Sequence, residues 1–402
     1  MSPLFLFDDA KAREFEPFSL TRPVSELRAG AEIIRARWER VSGLAASGFY
    51  GAAHLANFDE AGAPGSALGQ RSMPAGTLLV NSRCVVALDA MLNGDAAVFS
   101  CNGVVCAVRT KRSIDTAGLI QGTLSLGQLA DTDNVVEIAG SWLDEVWDLV
   151  GYLDAQLATD IPALRARFVD ASPGNAVVLG PHGVHCEEGA KIEPFVVLDA
   201  SAGPIMIRRG ATISSFSRIV GPCYIGSDTT IVGDAIRGCS IGDVCKVRGE
   251  MSGSVMLGHS NKGHTGFVGS SYIGRWVNLG AGTTTSNLKN TYGPVQVVTA
   301  SGLRDTGLQF LGSLIGDHAK TGIGSLLTTG CTVGAGANVF GSAASPKWIP
   351  PFAWGAAEPY GRYDVEKFAG VAERMMSRRH VLLSDKARQA MHDSYEASES
   401  TR

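Results

Sequence analysis

His264 is the residue around which a reaction could be built. It stands in N-K-G-H-T-G, where Gly263, Thr265 and Gly266 are small enough to leave room for a ligand. N-L-G-A-G-T follows from Asn278 to Thr283, and Asn287 then heads N-L-K-N, which contains Lys289. An imidazole takes a proton from an attacking amine near neutral pH. Backbone amides in rigid glycine-rich turns donate to an oxyanion as it forms. Together these suit acyl transfer from a thioester to an amine. Without its surroundings, the same histidine is an exposed ring on the face of a repeat. His259 reads as structural. His318 could reach the same cleft from a neighbouring subunit.

A second group of chemistry-bearing residues lies near the N-terminus. Asp8 and Asp9 follow the apolar run Leu4–Phe7, which reads as a buried strand. Ligands of open α/β sheets bind beyond the carboxyl ends of strands, so the pair is placed for a metal or a sugar. The plainer reading is a turn or helix cap. Arg22 and Arg28 flank a proline-fixed turn in S-L-T-R-P-V-S-E-L-R-A-G, which also holds Glu26. Arginine suits bidentate phosphate contact. A helical pattern from Ala31 to Glu39 follows.

The elements that position His264 declare themselves by period. Ile207, Ile213, Ile219, Ile225 and Ile231 recur at every sixth residue, as do Ile315, Thr321, Leu327, Val333 and Val339. Six is neither the helical nor the strand period. A hexapeptide repeat predicts a parallel β-helix in which each aliphatic residue points into a stacked core. Glycines at 226, 233, 242 and 316 fall at its corners, where positive φ is expected. The pattern loosens between Arg248 and Thr265. It breaks from Thr284 to Phe310, which reads as a loop leaving the coil, and it stops near Ser345.

Between these regions, short apolar runs such as Ala96–Val98 and Val104–Val108 read as strands, and Ser141–Phe168 as one or two helices. Three prolines exclude a helix from Pro346 to Trp354. Asp364 is a candidate N-cap for helices reaching Asp393. Arg374, Arg378 and Arg379 make that region basic, and a polar, irregular tail is expected from Ser394. The expected division is an α/β domain over residues 1–170, a β-helix over 175–345, and a Pro/Trp-containing extension with a C-terminal helix over 346–402.

The chain has 402 residues, a formal charge of −4 and 49 glycines, many of which a hexapeptide coil would use. That charge gives no general affinity for nucleic acid or anionic membranes. No apolar run approaches a membrane span. The opening M-S-P-L-F-L-F-D-D lacks the basic region of a signal peptide. The eight cysteines are scattered without a C-x-x-C pair, so reduced buried thiols of a cytoplasmic protein are expected.

Several of these strings resemble one family. S-L-T-R-P-V-S-E-L-R-A-G resembles the P-L-T-x-x-x-P-K-x-L-L-P-V stretch of sugar-1-phosphate nucleotidyltransferases. It is closer to T-R-P-V-x-E-L-R-x-G-x-x-T-I-x-x-x-W of a divergent bacterial family. That family resembles the bifunctional N-acetylglucosamine-1-phosphate uridylyltransferase and glucosamine-1-phosphate N-acetyltransferase. L-L-V-N-S-R at 78–83, V-W-D-L-V at 146–150 and the K-x-I-P-P-F-x-W segment at 347–354 match it too. So does N-K-G-H-T-G-F-V-G-S followed by N-L-G-A-G-T-T-T-S-N-L.

The resemblance implies a nucleotidyltransferase-like α/β domain, a left-handed β-helix assembled as a homotrimer, and a nucleotide-activated N-acyl aminosugar of the UDP-N-acetylglucosamine type as product. His264 falls on the base and Asn287 on the asparagine beside the amine. Substrate contacts are implied at Arg248, Glu250, Asn261, Lys262, Asn278 and Lys289, and acetyl-CoA contacts at Asp317 and Thr329. Nucleotide contacts are implied at Asp8, Arg22, Glu26, Arg28 and Asn81, with Mg²⁺ on Asp8 and Asp9. A sugar-1-phosphate, UTP or another nucleoside triphosphate, and acetyl-CoA are the implied small-molecule partners.

The chain departs from the family at several points. No L-x-x-G-x-G-T-x-M loop precedes Arg22. Asn81-Ser82-Arg83 stands where the family's metal-binding aspartate would be, and neutral asparagine is a poor ligand for a hard cation. Phe267 and Leu288 replace tyrosines, leaving Lys262 and Lys289 as the nearest candidates for phosphate contacts. An acyltransferase with a nucleotide-sugar-binding but non-catalytic N-terminal domain is the alternative, as is a regulatory subunit that senses nucleotide-sugar.

Overall fold

The computed structural model describes residues 2–92, 97–130, 134–166, 170–299, 301–341 and 344–399. Of the segments read from sequence, Ala96, Phe168 and residues 400–402 lie outside these. The chain divides into two units, Met1–Asp148 with Leu383–Arg402, and Leu149–Leu382.

In the first unit, six strands form a mixed sheet: β1 (Leu4–Phe7), β2 (Ala46–Tyr50), β3 (Leu78–Asn81), β4 (Val98–Cys101), β5 (Val104–Arg109) and β6 (Val135–Glu137). Their order is β6-β4-β5-β3-β1-β2. β1 runs parallel to both β2 and β3, and all four of its residues are buried. A strand buried on both faces reads as a continuous apolar run, which is why Leu4–Phe7 was visible without alternation.

The helix expected from Ala31 begins later. Arg28–Ala29 and Glu32–Ile33 pair across a tight turn, and α1 spans Ile34–Ser42, closed by Gly43 at φ 69°. Ser141 and Trp142, expected to be helical, lie in the strand Gly140–Trp142, antiparallel to Cys84–Val86.

The second unit carries α2 (Leu153–Arg165) near its start and continues as a solenoid. Its strands stack into sheets of ten, six and ten strands, parallel throughout except for one antiparallel terminal strand in each of the larger two. Ile207 pairs with Ile225 on one face, Ile213 with Ile231 on the next, and Ile219 with Ile236 on the third. Successive hexads therefore rotate through the three faces. Both aliphatic series are buried in one core, from Ile207 at 0% exposure to Val339 at 7%.

The loosened stretch does not leave the coil. Ser240 pairs with Val255 and Val255 with Tyr272, steps of 15 and 17 residues, so the turns shorten while the strands keep pairing. The excursion is real. Tyr272 pairs with Leu314, 42 residues on, and the inserted chain carries a hairpin of Gln296–Thr299 with Gly302–Asp305.

The solenoid also outlasts its hexads. Trp348–Ile349 and Ala353–Gly355 add in parallel to the preceding coil, and Ile349 joins the core. Proline is tolerated there because Pro346, Pro350 and Pro351 fall outside the strands and remove no ladder hydrogen bond.

The corners correct the glycine reading. Of the four glycines named, Gly233 does take positive φ, at 133°, but many left-handed positions are held by other residues, among them Asp228, Val244, His259, Trp276, His318 and Phe352. Gly226 serves close approach instead, since a Cβ there would lie 2.6 Å from the Gly242 carbonyl carbon of the next coil.

Two helices follow. α3 (Val365–Ser377) is capped by Asp364, whose carboxylate accepts from the Lys367 amide at 2.8 Å. α4 (Asp385–Ala397) belongs to the first unit, where Asn57 donates to Asp393 at 2.8 Å. The expected irregular tail is thus helical through Ala397. All eight cysteines are free and buried, and no described helix is long and apolar enough to cross a membrane.

The stacked core sets a direct test. Ile219→Asp would bury an unpaired charge between two coils, at a cost of several kcal/mol. Circular dichroism and thermal denaturation should find the coil unfolded or its midpoint sharply lowered, while Ile219→Val should lose only about 1 kcal/mol.

Candidate functional site

His264 lies exposed on a turn of the shortened coils, just after the strand Asn261–Lys262. The turn is fixed from inside. The Lys262 ammonium donates to the carbonyl of Arg248 at 2.7 Å and to that of His264 at 3.0 Å. Gly249, at φ 92°, leaves the space this requires, since a Cβ there would come within 2.6 Å of Nζ. Lys262 is only 2% exposed, and burial pushes its pKa down to about 8. It anchors the histidine turn. Its ammonium is already engaged, so it is poorly placed for the phosphate contact expected of it.

A cleft of about 430 Å³ opens beside His264. Lys246, His259, Asn261 and Asn278 line it from the coils, and Arg378 and Arg379 from the end of α3. Asn261 and Asn278 stand one above the other, Nδ2 of the first donating to Oδ1 of the second at 2.8 Å. His259 packs on Trp276 with ring centroids 4.4 Å apart, consistent with a structural ring. His318 is held between Trp276 and Phe368, at 6.3 and 5.7 Å.

Other expected residues stand elsewhere. Arg248 and Glu250 are exposed, with Arg248 3.6 Å from Asp234. Asn287 donates to Ser270 at 3.3 Å and Lys289 to the Pro294 carbonyl at 2.9 Å. Asp317 is buried and accepts from the Arg275 amide at 2.7 Å, and Thr329 shares a 2.7 Å hydrogen bond with Ser286. None of these six lines the His264 cleft within one chain. Lys246 did not stand out in sequence. Arg378 and Arg379 were visible only as part of a basic helix.

The N-terminal cluster is tied to itself. Asp9 accepts from Asn81 at 2.9 Å, from both Nε and Nη2 of Arg83 at 3.1 and 2.9 Å, and from the Ala12 amide at 2.8 Å. Arg83 also donates to the Leu143 carbonyl and lies 4.4 Å from the Trp142 ring centroid. Asp8 is 1% exposed and accepts from the Val24 amide at 3.1 Å. Burial pushes its pKa up to about 6, against the opposing pull of that amide and of Arg13.

Mg²⁺ requires charged oxygens and room for its own waters. Here one carboxylate is taken by a guanidinium and an amide, and the other is buried and drawn toward its neutral form. The expected metal pair therefore does not fit the ion in this arrangement, and Asp9 instead closes a turn by accepting from the Ala12 amide.

Arg22 is 3% exposed and pairs with Glu60 at 3.0 Å. Glu26 pairs with Arg35 of α1. Arg28, also buried, donates to the Ala31 carbonyl. The T-R-P-V-S-E-L-R string thus braces the first unit from within and presents little charge to solvent.

Residues 4–167 match the family model for sugar nucleotidyl transferases. The chain thus carries a segment similar to sugar nucleotidyl transferases, followed by a hexapeptide β-helix. It is a distant relative of proteins that carry both parts.

The bifunctional sugar-1-phosphate nucleotidylyltransferase/acetyltransferase of Sulfurisphaera tokodaii is 26% identical over 61% of this chain and 57% of its own length. The bifunctional protein GlmU of Methanococcus vannielii is 32% identical over 29% of this chain and 26% of its own. GlmU of a Synechococcus strain is 25% identical over 55% and 44%. The chain therefore spans about half the length of these relatives, or less. Among solved structures, a hexapeptide transferase family protein from Anaplasma phagocytophilum aligns with 56% of this chain at 13% identity and a TM-score of 0.17, too low for structural comparison.

Two variants test the local chemistry. Lys262→Met leaves two carbonyls without their donor and should cost about 1–3 kcal/mol in thermal or urea denaturation. Asp8 works with the opposite sign to a paired carboxylate. Its raised pKa favours folding below the ordinary value of 3.8, and that benefit disappears as pH rises through about 6. Asp8→Asn should therefore be more stable than the parent at pH 7.5, by on the order of 2 kcal/mol. At pH 4 the two should differ little in denaturant titrations.

Proposed function

We propose that the solenoid unit is an acetyl-CoA-dependent N-acyltransferase acting on an aminosugar phosphate, with His264 as the base. The carrying observation is that this imidazole is exposed at the rim of a polar cleft, on a turn held from beneath by Lys262. The amine nitrogen attacks the thioester carbonyl, forming the C–N bond. His264 takes the amine's proton, the C–S bond breaks, and the proton passes to the leaving thiolate. Asn261 and Asn278 supply a hydrogen-bonding edge for sugar hydroxyls.

For the first unit, the reading favoured is nucleotide-sugar binding without metal-dependent transfer. Asp9's engagement by Arg83 and Asn81 supports it. Glucosamine-1-phosphate is the proposed acceptor, following the distant relatives' names. Homotrimeric assembly and a cytoplasmic location belong to the same proposal.

The test is a pair of assays read by mass. Glucosamine-1-phosphate with acetyl-CoA should give the N-acetyl product. N-acetylglucosamine-1-phosphate with UTP and Mg²⁺ should give no nucleotide-sugar, and its formation would restore a catalytic role to the first unit. His264→Ala should cut acetyl transfer by about 10²–10⁴-fold. Acetyl-CoA binding should change little, because the base acts on the other substrate.

A further inference from the structure

The cleft beside His264 has a second wall that the acyl-transfer reading does not use. α3 ends on it. Phe368, Ala369, Ala372 and Met376 form the buried stripe of that helix. Phe368 sits edge-on to Phe352 at 5.1 Å and to His318 at 5.7 Å, both left-handed corner residues of the solenoid. The helix is thus seated on the corner ladder, and its last turn is carried to the level of the histidine turn. There Nη1 of Arg379 donates to the Val244 carbonyl at 3.1 Å, which fixes the guanidinium against the coil. Arg378, next in chain, is exposed on the cleft, and Lys246 faces it from the coil two residues beyond Val244.

The charge on these walls is one-sided. Lys246, Arg378 and Arg379 line the cleft together with two histidines, and the lining holds neither aspartate nor glutamate. Among the described residues, none of the three cations forms an ion pair. Several buried or half-buried arginines elsewhere in the chain are paired with acids: Arg22 with Glu60, Arg35 with Glu26, Arg83 with Asp9, Arg208 with Glu187. The carbonyls at a helix C-terminus draw cations, and that accounts for arginine near the end of α3. It does not account for Lys246, which comes from a different element.

We propose that Arg378, Arg379 and Lys246 form a cradle for a phosphomonoester, positioning a phosphorylated substrate against His264. A guanidinium fork with a mobile ammonium opposite suits a dianionic phosphate better than a single-charge carboxylate. Two substrates of the proposed reaction carry such a group, the aminosugar-1-phosphate and the 3′-phosphate of coenzyme A. The inference rests on the acyltransferase reading for the identity of the ligand alone.

The experiment uses the full chain and measures binding without turnover. Calorimetry would compare glucosamine-1-phosphate with glucosamine, and coenzyme A with dephospho-coenzyme A, for the parent, Arg378→Gln and Lys246→Gln. Each variant should weaken binding of one phosphorylated ligand at least tenfold, reduce the salt dependence of that binding, and leave the dephosphorylated analogue unchanged. The ligand affected identifies the source of the phosphate. Arg378→Lys, which keeps the charge but not the fork, should recover part of the loss.

The two substitutions lie on different elements, and thermal denaturation would exclude a folding defect common to both. Unaltered binding of both phosphorylated ligands by both variants would overturn the cradle even if acetyl transfer is observed. Absence of transfer, with phosphate-dependent binding lost in the variants, would overturn the acyltransferase reading and leave the cradle standing. A parent protein that binds neither phosphorylated ligand overturns the cradle.

Discussion

An aliphatic residue on one coil of the solenoid can be buried only by the coils above and below it. That constraint organises the second unit. Ile207 needs Ile225 and Ile225 needs Ile241, face by face, so no coil is stable by itself. Because the backbone pairing is parallel and in register, each coil copies the position of the last. A turn can shorten or an excursion can be inserted, provided the inward residue returns to its column. The steps of 15, 17 and 42 residues are such departures, and the column from Ile273 to Ile315 survives the longest of them.

Chemistry is concentrated where the turns vary. The inward positions hold aliphatic residues, and several corners hold rings in the left-handed region, of which His259, Trp276 and His318 pack on one another because the coils are in register. That ladder of His259, Trp276, His318 and Phe352 forms the surface on which α3 rests. The shortened coils set His264 out on a turn, and a buried lysine rather than an aliphatic residue supports it. Lys262 substitutes two charge-assisted hydrogen bonds for packing. A rigid scaffold with one exposed polar turn is a usual way for a repeat fold to carry a reactive group.

The first unit distributes its charges differently. Its acids and arginines are mostly partnered with each other or with backbone, as in Asp9 with Arg83 and Glu26 with Arg35. Such pairs hold loops together because leaving one member buried and alone would be costly. The same pairing withholds the carboxylates from a cation. A family resemblance carried by a short string therefore indicates the fold more firmly than the chemistry. Arg22 and Arg28 sit at the expected places in the motif, and their side chains turn inward.

The sequence by itself determined the solenoid, because a six-residue period has few other physical solutions, and it marked His264 through the small residues around it. It also marked the buried first strand, the Asp364 cap and the loop leaving the coil, since each depends on residues close in sequence. It misread the extent of the coil past Ser345, because the last strands pair by backbone without the hexad signature and the prolines fall between them. It read Gly233 correctly by local φ but misread Gly226 and Gly242, whose requirement comes from the neighbouring coil. Only the tertiary structure decided which charges are occupied and which line the cleft. Lys246 and Arg378 are far apart along the chain, and their juxtaposition depends on Phe368 finding the aromatic corner, a contact with no periodic signal.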